Sequence, residues 1–379
     1  MGCVRGRPRV VGSACSSTIQ IYNIDYLGEA GCRMVKSDGF VELIGRALEG
    51  DLTDGDVREI AGMPREWWTV VCGIAGRIKF SSLSNSVRLC AVVNARSGLC
   101  DQDCAFCAQA FADRTQAPVY PLISHERLME FARDAEANGA TAFCIVTSGK
   151  KVSGKDFERI LEMVESLKGR FLSVCASLGC LERPQLEELK AAGLVRYHHN
   201  LETGPNFYPR ICTTRPYDQN FETLEFAKEA GLEVCAGGIF GMGESWDDRI
   251  DMLLELKRAE IDSLPVNFLI PIEGTPLESE PSVEPLEGLF CLALARLVHR
   301  DIHIVVCGGR EARLKELQAA ALVSGASGIM VGNYLTQPGR PAELDLEMLE
   351  DLGMVPEKEE GTARLRAPSR PFTNMKLSN

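Results

Sequence analysis

A chain of 379 residues, 45% of them hydrophobic, has ample apolar side chains for a large buried core. Its formal net charge of −12 argues against nucleic acid or an anionic membrane as a partner. No apolar run reaches the length that spans a bilayer. The fifteen cysteines are spread along the chain, and no secretory signal precedes them. We therefore expect a cytoplasmic protein that binds metals through reduced thiolates, rather than a disulfide scaffold.

Both ends of the chain differ from the region between them. Residues 1–39 mix arginine, serine and glycine without helical or strand periodicity. We expect a disordered leader there; a targeting peptide is the alternative, and Met34 is a second candidate for the first residue. Residues 40–86 have the spacing of amphipathic helices, interrupted near Gly62 and Pro64. Residues 356–379 are charged and contain proline, which predicts a disordered tail.

Between these ends, strand-like and helix-like segments alternate. Eight apolar runs are predicted as strands: 87–95, 141–147, 171–176, 195–201, 233–239, 264–270, 302–307 and 328–331. Helices are predicted over residues 124–138, 153–167, 185–192, 220–230, 246–259, 286–298 and 311–322. Such alternation indicates a parallel sheet. Eight units predict a closed (β/α)8 barrel of the TIM type over residues 87–355, and an open doubly wound sheet is the alternative.

The most informative stretch follows the first predicted strand, where Cys100, Cys104 and Cys107 have the spacing C-x3-C-x2-C. Thiolates are the preferred ligands of iron–sulfur clusters and of tetrahedral zinc. Structural zinc sites close with a second pair of cysteine or histidine ligands, and none follows here. Three thiolates on a four-iron cube leave one iron open to a substrate or cofactor. The triplet therefore favours a [4Fe–4S] cluster over zinc or three free thiols.

With Phe106 directly before its last cysteine, the triplet resembles that of the radical S-adenosylmethionine (SAM) superfamily. In that superfamily the open iron binds the amino and carboxylate groups of SAM. The resemblance implies a [4Fe–4S] cluster held by the triplet, with SAM as its cofactor.

Three further cysteines, Cys144, Cys175 and Cys235, lie in three different predicted strands. A single cysteine in a strand is usually a small buried hydrophobic residue. In a closed barrel, however, inward side chains from several strands share one interior. Three cysteines converging there, in a chain that also has the triplet, indicate a second metal–thiolate site.

A longer series of matches makes the chain similar to the biotin synthases. The matches run in sequence order over residues 40–354 and comprise Ala108-Gln109, Phe143-Cys144, Val174-Cys175, Tyr197 to Thr203, Thr213-Thr214, Val234 to Gly238, Val266-Asn267, Gly274 to Pro276 and Gly308 to Glu311. The resemblance implies conversion of dethiobiotin to biotin by a radical SAM barrel. It also implies an auxiliary [2Fe–2S] cluster that donates the sulfur.

The same resemblance assigns residues to the two clusters. Four residues are implied as ligands of the auxiliary cluster: Cys144, Cys175, Cys235 and Arg310. Five cysteines are implied as catalytic: Cys100, Cys104, Cys107, Cys175 and Cys235. Two more thiols follow the fourth strand and end the seventh, and they are additional ligand candidates: Cys212 and Cys307. If either of them binds iron, a cluster larger than [2Fe–2S] is the alternative.

Other residues are assigned to SAM and the substrate. Seven are implied to contact SAM: Phe106, Asn200, Glu202, Gly237, Ile239, Gly241 and Glu244. The glycines among them are equally typical of a strand-to-helix turn. Two are implied to contact dethiobiotin: His198 and Asn267. Strand alternation directs His198 and His199 to opposite faces, which argues against a paired-histidine metal site.

Two other functions remain open at this stage. A sister radical SAM enzyme, hydrogenase-maturing or methylornithine-forming, would share the triplet without needing Cys175 and Cys235 together. A non-catalytic metal–thiolate protein would bind zinc and would not cleave SAM. For a biotin synthase, the resemblance further implies a flavodoxin or ferredoxin as electron donor, and a homodimer.

Overall fold

The computed structural model describes residues 37–111, 114–335 and 339–358. In it, eight parallel strand positions, one of them divided into two short strands, close into a barrel. The strands are β1 (Ser86–Arg96), β2 (Ala142–Thr147), β3 (Ser173–Ser177), β4 (Arg196–His198), β5 (Glu233–Cys235), β6 (Gly238–Phe240), β7 (Ser263–Phe268), β8 (His303–Val306), β9 (Gly328–Met330) and β10 (Val355–Pro356). Strands β1 to β5 pair in chain order, β5 and β6 both pair with β7, and β7 to β9 again pair in chain order. Pairing of β9 with β1 closes the sheet. The predicted TIM-type barrel is confirmed, and the open sheet is excluded.

The fifth strand position of the barrel is divided into two short strands, whereas the sequence predicts a single strand over residues 233–239. β5 pairs with β4, β6 pairs with β7, and residues 236–237 lie between the two pieces. A β-carbon at Gly237 would lie 1.9 Å from the carbonyl oxygen of Pro265. Because any side chain there would collide with the backbone of β7, the break requires glycine.

Helices surround the barrel: α1 (Ser37–Glu49), α2 (Asp54–Ala61), α3 (Trp68–Leu83), α4 (His125–Ala137), α5 (Gly154–Ser166), α6 (Arg183–Ala192), α7 (Tyr217–Glu229), α8 (Trp246–Arg258), α9 (Pro285–Val298), α10 (Arg310–Leu314), α11 (Gln318–Val323) and α12 (Ala342–Asp351). Ser124 and Ser153 stand at the N-caps of α4 and α5, as predicted. The helix predicted over 311–322 is divided, because a 3-10 turn at Lys315–Leu317 separates α10 from α11.

The predicted N-terminal helices, α1 to α3, pack on the helical shell. α3 lies along α9, which is buried from Gly288 to Val298. The ring of Trp68 stacks on Phe290 with 4.6 Å between ring centroids, and Trp246 meets the same phenylalanine edge-on. These aromatic contacts anchor the extension to α8 and α9.

The last described residues lie at the end of the barrel where the strands begin. β10 pairs in parallel with the first residues of β1. Ordered structure continues past the predicted start of the tail at 356, since Glu357 is buried and bonded to Arg88. The predicted leader over residues 1–36 and the remaining tail over 359–379 lie outside the described residues. In the ranges that are described, no helix combines the length and apolar character needed to cross a membrane.

Candidate active site

The inward faces of the barrel strands and the loops at their carboxyl ends line a chamber of about 380 Å³. Five cysteines line it: Cys90, Cys144, Cys175, Cys235 and Cys307. In the sheet, Cys144 pairs directly with Cys175, and Cys235 pairs with His198. Alternate strand residues point inward, so cysteines that are far apart in sequence share one chamber. The predicted convergence of Cys144, Cys175 and Cys235 is therefore present in the structure.

The chamber favours neutral thiols in the absence of bound positive charge. Burial raises the pKa of Cys235 to about 12, and it also raises the pKa of Cys144 and of Cys175. The charge of Arg196 opposes this rise in pKa at all three thiols. A bound metal stabilises the thiolate, because it brings its own positive charge to the sulfur. The chemistry of this donor set is thus that of a buried site for a thiophilic metal.

The cysteine triplet lies in the loop that follows β1, at the carboxyl end of the barrel. Its backbone turns tightly, since the N–H of Cys107 donates to the carbonyl oxygen of Cys104 at 2.9 Å. Asp103 fastens the loop to a neighbouring one by accepting hydrogen bonds from the backbone and hydroxyl groups of Thr213 and Thr214. The three cysteines are half-buried. Phe106, inside the triplet, lines the chamber, so the loop borders the same space as the strand cysteines.

The structure separates the two additional thiols. Cys307 lines the chamber together with the strand cysteines. Cys212 is not among the lining residues; it shares a side-chain hydrogen bond with Cys104 of the triplet and lies 3.5 Å from the hydroxyl of Thr214. Cys307 is therefore positioned near the implied auxiliary ligands, whereas Cys212 is positioned beside the triplet.

Arg310 lies outside the chamber, in contrast to the ligand set that the resemblance implies. Its Nη1 and Nη2 donate to the carboxylate of Asp345 at 2.9 and 2.7 Å, and Nη2 also donates to the carbonyl oxygen of Met330. Both members of this ion pair are fully buried. The guanidinium is thus engaged with α12 and is not among the residues that line the chamber, but its charge acts on the lining thiol of Cys307.

The polar lining of the chamber matches the predicted strand face. His198, Asn200 and Glu202 line it, as do Asn267 and Ile239. Asn200 accepts a hydrogen bond from the N–H of Gly237 at 3.1 Å and donates one to Glu202 at 3.3 Å. Burial raises the pKa of Glu202 to about 7. Burial, with the nearby Arg196, lowers the pKa of His198 to about 4, so its imidazole is neutral at pH 7.

The next histidine has a different environment. His199 points away from the chamber, and its Nε2 lies 3.0 Å from Oδ1 of Asn220. The prediction that the two histidines do not form a joint site is therefore confirmed by their opposite orientations.

The glycine run predicted at SAM divides into lining and supporting residues. Ile239 lines the chamber, whereas Gly237, Gly241 and Glu244 do not. The carboxylate of Glu244 is buried behind the turn, where it accepts hydrogen bonds from the N–H groups of Gly241 and Met242 at 2.8 and 2.6 Å. Gly241 has a φ of +96°, which a residue with a side chain rarely adopts. These residues shape the turn that presents Ile239.

Sequence reasoning overlooked two residues that line the chamber. Arg196 places Nη1 at 3.9 Å from Sγ of Cys175, and Cys90 contributes a thiol from β1. The signal for Arg196 was available, because the alternation that directs His198 and Asn200 inward also includes position 196.

A closed α/β barrel with a C-x3-C-x2-C loop at the carboxyl ends of its strands defines the class of radical SAM proteins. Residues 96–256 match the model of the Radical SAM superfamily, and residues 265–355 match that of the Biotin and Thiamin Synthesis associated domain. Biotin synthase of Pelotomaculum thermopropionicum is 46% identical over 83% of this chain and 98% of its own length. Biotin synthase of Trichlorobacter lovleyi is 46% identical over 75% of this chain and 86% of its own length. The chain belongs to the biotin synthase family.

Solved structures agree with this fold. Methylornithine synthase superposes with a TM-score of 0.73 and 21% identity, over 83% of this chain and 97% of that one. HydG, a maturase of the [FeFe]-hydrogenase, superposes with a TM-score of 0.74 and 16% identity, over 84% of this chain and 76% of that one. At these identities the likeness concerns the barrel, and the curated relatives determine the family.

Proposed function

We propose that the chain inserts sulfur into dethiobiotin to form biotin, with SAM as the source of the radical. The observation that carries the proposal is that Cys144, Cys175 and Cys235 project into one chamber bordered by the loop of the triplet. A substrate bound in that chamber lies between the two groups of cysteines, and such positioning lowers the barrier to reaction. Membership of the biotin synthase family supports the same reaction.

The donor sets fit the two iron–sulfur clusters that this reaction requires. Cys100, Cys104 and Cys107 provide three thiolates for a [4Fe–4S] cluster and leave one iron for SAM. The chamber provides further thiols, of which Cys175 and Cys307 are buried and the others half-buried. Within residues 37–111, 114–335 and 339–358, no three His, Cys, Asp or Glu side chains are arranged to hold a single metal ion.

When bound, the [4Fe–4S] cluster supplies the electron that converts SAM to a 5′-deoxyadenosyl radical, and the auxiliary cluster supplies the sulfur. The chain holds and orients these groups. Phe106 and Ile239 provide apolar surface for the adenosyl part of SAM, with the turn supported by Glu244. The apolar chamber walls keep water and stray hydrogen donors away from the reacting carbons.

Polar residues are proposed to orient the two small molecules. Asn200 and Glu202, joined by a hydrogen bond, suit the hydroxyl groups of the SAM ribose. His198 is neutral at pH 7 and can donate or accept a hydrogen bond at the ureido group of dethiobiotin. Asn267 accepts from the N–H of Gly308 at 2.9 Å and donates to the carbonyl oxygen of Gly238 at 3.2 Å. Its amide has one further hydrogen and one further lone pair for the substrate.

The resemblance implies Arg310 as the fourth ligand of the auxiliary cluster, and Cys307 and Cys212 are the additional candidates. Four ligands suffice for [2Fe–2S], with two on each iron. Cys307 lines the chamber and is the better supported of the two additional candidates, while Cys212 lies with the triplet. A clean [2Fe–2S] Mössbauer signal that survives Cys307→Ala and Cys212→Ala excludes both thiols, and a larger cluster that is lost in Cys307→Ala supports the alternative.

The partners follow from the reaction. We propose a flavodoxin or ferredoxin as electron donor, because cleavage of SAM consumes single electrons. A cytoplasmic homodimer is the expected form of the protein, by its resemblance to the family. Reconstitution with either donor and measurement of the molar mass in solution test these two expectations.

Cysteine variants test the function in two halves. We expect Cys104→Ala to abolish formation of 5′-deoxyadenosine, because two thiolates do not retain the first cluster. We expect Cys175→Ala and Cys235→Ala to form 5′-deoxyadenosine without biotin, because only the sulfur source is lost. The assay is anaerobic, with SAM, dithionite and dethiobiotin. Cys72→Ala, a buried cysteine of α3, is the matched control; biotin at wild-type yield from Cys175→Ala or Cys235→Ala rules out the assignment.

The same assay and the visible absorption spectrum distinguish the proposed function from the two alternatives. A sister radical SAM enzyme cleaves SAM but forms no biotin from dethiobiotin. A zinc–thiolate protein is colourless after anaerobic purification, whereas iron–sulfur clusters give brown absorption.

A further inference from the structure

Arg196, on β4, faces the strand cysteines from inside the barrel. Its side chain is only 4% exposed and lines the chamber. In the sheet it pairs directly with Cys175, and Cys175 pairs with Cys144 on the next strand. The three residues therefore occupy one level of the barrel on consecutive strands. Two of the proposed auxiliary ligands lie one and two strands away from the guanidinium.

The guanidinium has a fixed orientation. Its Nε and Nη2 donate to Oε2 of Glu233 at 3.1 and 2.6 Å. The remaining nitrogen, Nη1, lies 3.9 Å from Sγ of Cys175. Because the guanidinium is planar and rigid, fixing two nitrogens also fixes the direction of the third.

The two ends of this ion pair meet different surroundings. The side chain of Glu233 is 38% exposed, whereas that of Arg196 is 4% exposed. Water screens the carboxylate more strongly than the guanidinium, so the pair presents a positive field to the chamber. Several thiolates in a buried space carry negative charge, and such charge is costly unless a nearby group compensates it.

We propose that Arg196 is a positioning residue for the auxiliary cluster: its Nη1 donates an N–H···S hydrogen bond to Cys175, and its charge offsets the buried thiolates. Hydrogen bonds to sulfur and local charge are means by which a protein sets the reduction potential of a cluster. An arginine stays protonated across the physiological range of pH, so this contribution is constant. The inference rests on the proposed function, because it requires an auxiliary cluster in the chamber.

Arg296, on α9, provides a matched control for this role. It is also a fully buried arginine, and it donates hydrogen bonds to the carbonyl oxygen of Gly325 and the hydroxyl of Ser327, but it does not line the chamber. Glutamine at either position removes one buried positive charge. A purely structural role for Arg196 therefore predicts loss of stability in both variants and a change of cluster properties in neither.

The experiment compares Arg196→Gln, Arg196→Lys and Arg296→Gln with the wild type, each reconstituted anaerobically with iron and sulfide. We expect Arg196→Gln to bind less auxiliary iron or to have a more negative auxiliary reduction potential. We expect Arg196→Lys to lie between Arg196→Gln and the wild type in iron content or potential, because lysine keeps the positive charge but lacks the rigid, planar guanidinium. We expect Arg296→Gln to keep the wild-type potential. The readouts are iron and sulfide analysis, Mössbauer spectra and a potentiometric titration.

Each outcome decides the inference. Wild-type iron content, spectrum and potential in Arg196→Gln overturn it and leave the proposed function standing, and so does an equal shift in Arg296→Gln. If Arg196→Gln does not fold, Arg196→Lys decides, with a smaller shift of the same sign expected and an unchanged potential contradicting the role. A wild type that assembles only the triplet cluster overturns the proposed function and this inference together. Formation of 5′-deoxyadenosine with dithionite, expected in all variants, reports on the triplet cluster separately.

Discussion

Asp103 connects the cysteine loop to the loop that carries Thr213 and Thr214. Its carboxylate accepts hydrogen bonds from the backbone N–H of Thr213 at 2.9 Å and of Thr214 at 3.2 Å, and from both hydroxyl groups. Because Asp103 directly precedes Cys104, these bonds fix the backbone of a proposed cluster ligand. Groups that orient a ligand in this way commonly affect metal affinity as much as geometry.

We expect Asp103→Ala to release iron from the triplet cluster faster than the wild type, because the loop loses its anchor. Because the barrel core is untouched, the cluster-free variant should still fold and unfold cooperatively. Iron transfer to a chelator, followed by absorbance, measures the effect. Glu273→Ala is the control, since it removes the same charge from an exposed position in the loop after β7. Equal release from the two variants contradicts the anchoring role.

At the scale of single residues, the sequence predicted which way side chains point better than it predicted which residues they contact. Strand alternation was sufficient to direct His198 and Asn200 into the chamber, and the same rule extends to Arg196. The environment of Arg310 was not predictable from its own motif, because its partner Asp345 lies 35 residues further along the chain on α12. Only the packing of α12 against the barrel determines where that guanidinium points.

Helix α3 contains a lysine that the fold removes from water. Lys79 is fully buried, and its Nζ donates to the carbonyl oxygen of Ser84 at 3.0 Å. Burial, with the nearby charge of Arg296, lowers the pKa of Lys79 from 10.5 to about 8. Between these two pKa values the unfolded chain binds a proton that the folded protein does not, so the free energy of unfolding rises with pH.

We expect this titration to be visible as a difference between the wild type and Lys79→Met. From pH 8 to pH 10, the unfolding free energy of the wild type should rise relative to the variant by about 2 kcal/mol. Urea unfolding at both pH values measures it, and subtracting the variant removes other groups that titrate in the same window. Lys155→Met, at an exposed position of α5, should show no such difference. Parallel pH profiles for wild type and Lys79→Met would refute the assignment.

At the scale of elements, periodicity located every strand of the barrel, but it did not predict the breaks within elements. Alternation of apolar residues predicted a continuous strand through Gly237, yet the approach of the backbone of Pro265 divides it. Helical periodicity likewise continued through Lys315, which adopts a φ of +49° and ends α10. Neither break is visible in the local pattern of apolar residues.

The two ends of the barrel have different chemistry. The carboxyl ends of the strands bear the cysteine loop, while the amino ends are closed by an ion pair between Arg88 of β1 and Glu357, next to His303 of β8. Alternation of strands and helices was enough to predict the barrel. It was not enough to predict this closure, because the partners are 269 residues apart and the tail has the charged composition of a disordered segment.

Glu357 occupies the base of the barrel and accepts two hydrogen bonds from Arg88, at 2.8 and 2.9 Å. Burial opposes ionisation, but hydrogen bonds from His303 and Arg88 outweigh it and hold the pKa of Glu357 well below its usual range. A depressed carboxyl pKa stabilises the fold above the unfolded value of 4.5, and this stabilisation is lost as pH falls below it. Burial lowers the pKa of His303, so acidification below pH 6.5 acts in the same direction.

We expect Glu357→Gln to lower the unfolding free energy at pH 7 by about 3–5 kcal/mol, because it leaves Arg88 buried without its counter-charge. The difference between wild type and variant should shrink as pH falls below 4.5, since the unfolded wild-type chain then binds a proton that the folded carboxylate does not. Urea unfolding from pH 4 to pH 7 measures both effects. Glu350→Gln, at an exposed position of α12, is the matched control and should leave stability unchanged. A Glu357→Gln protein as stable as the wild type at pH 7 would show that the pairing of β10 with β1 closes the barrel without the ion pair.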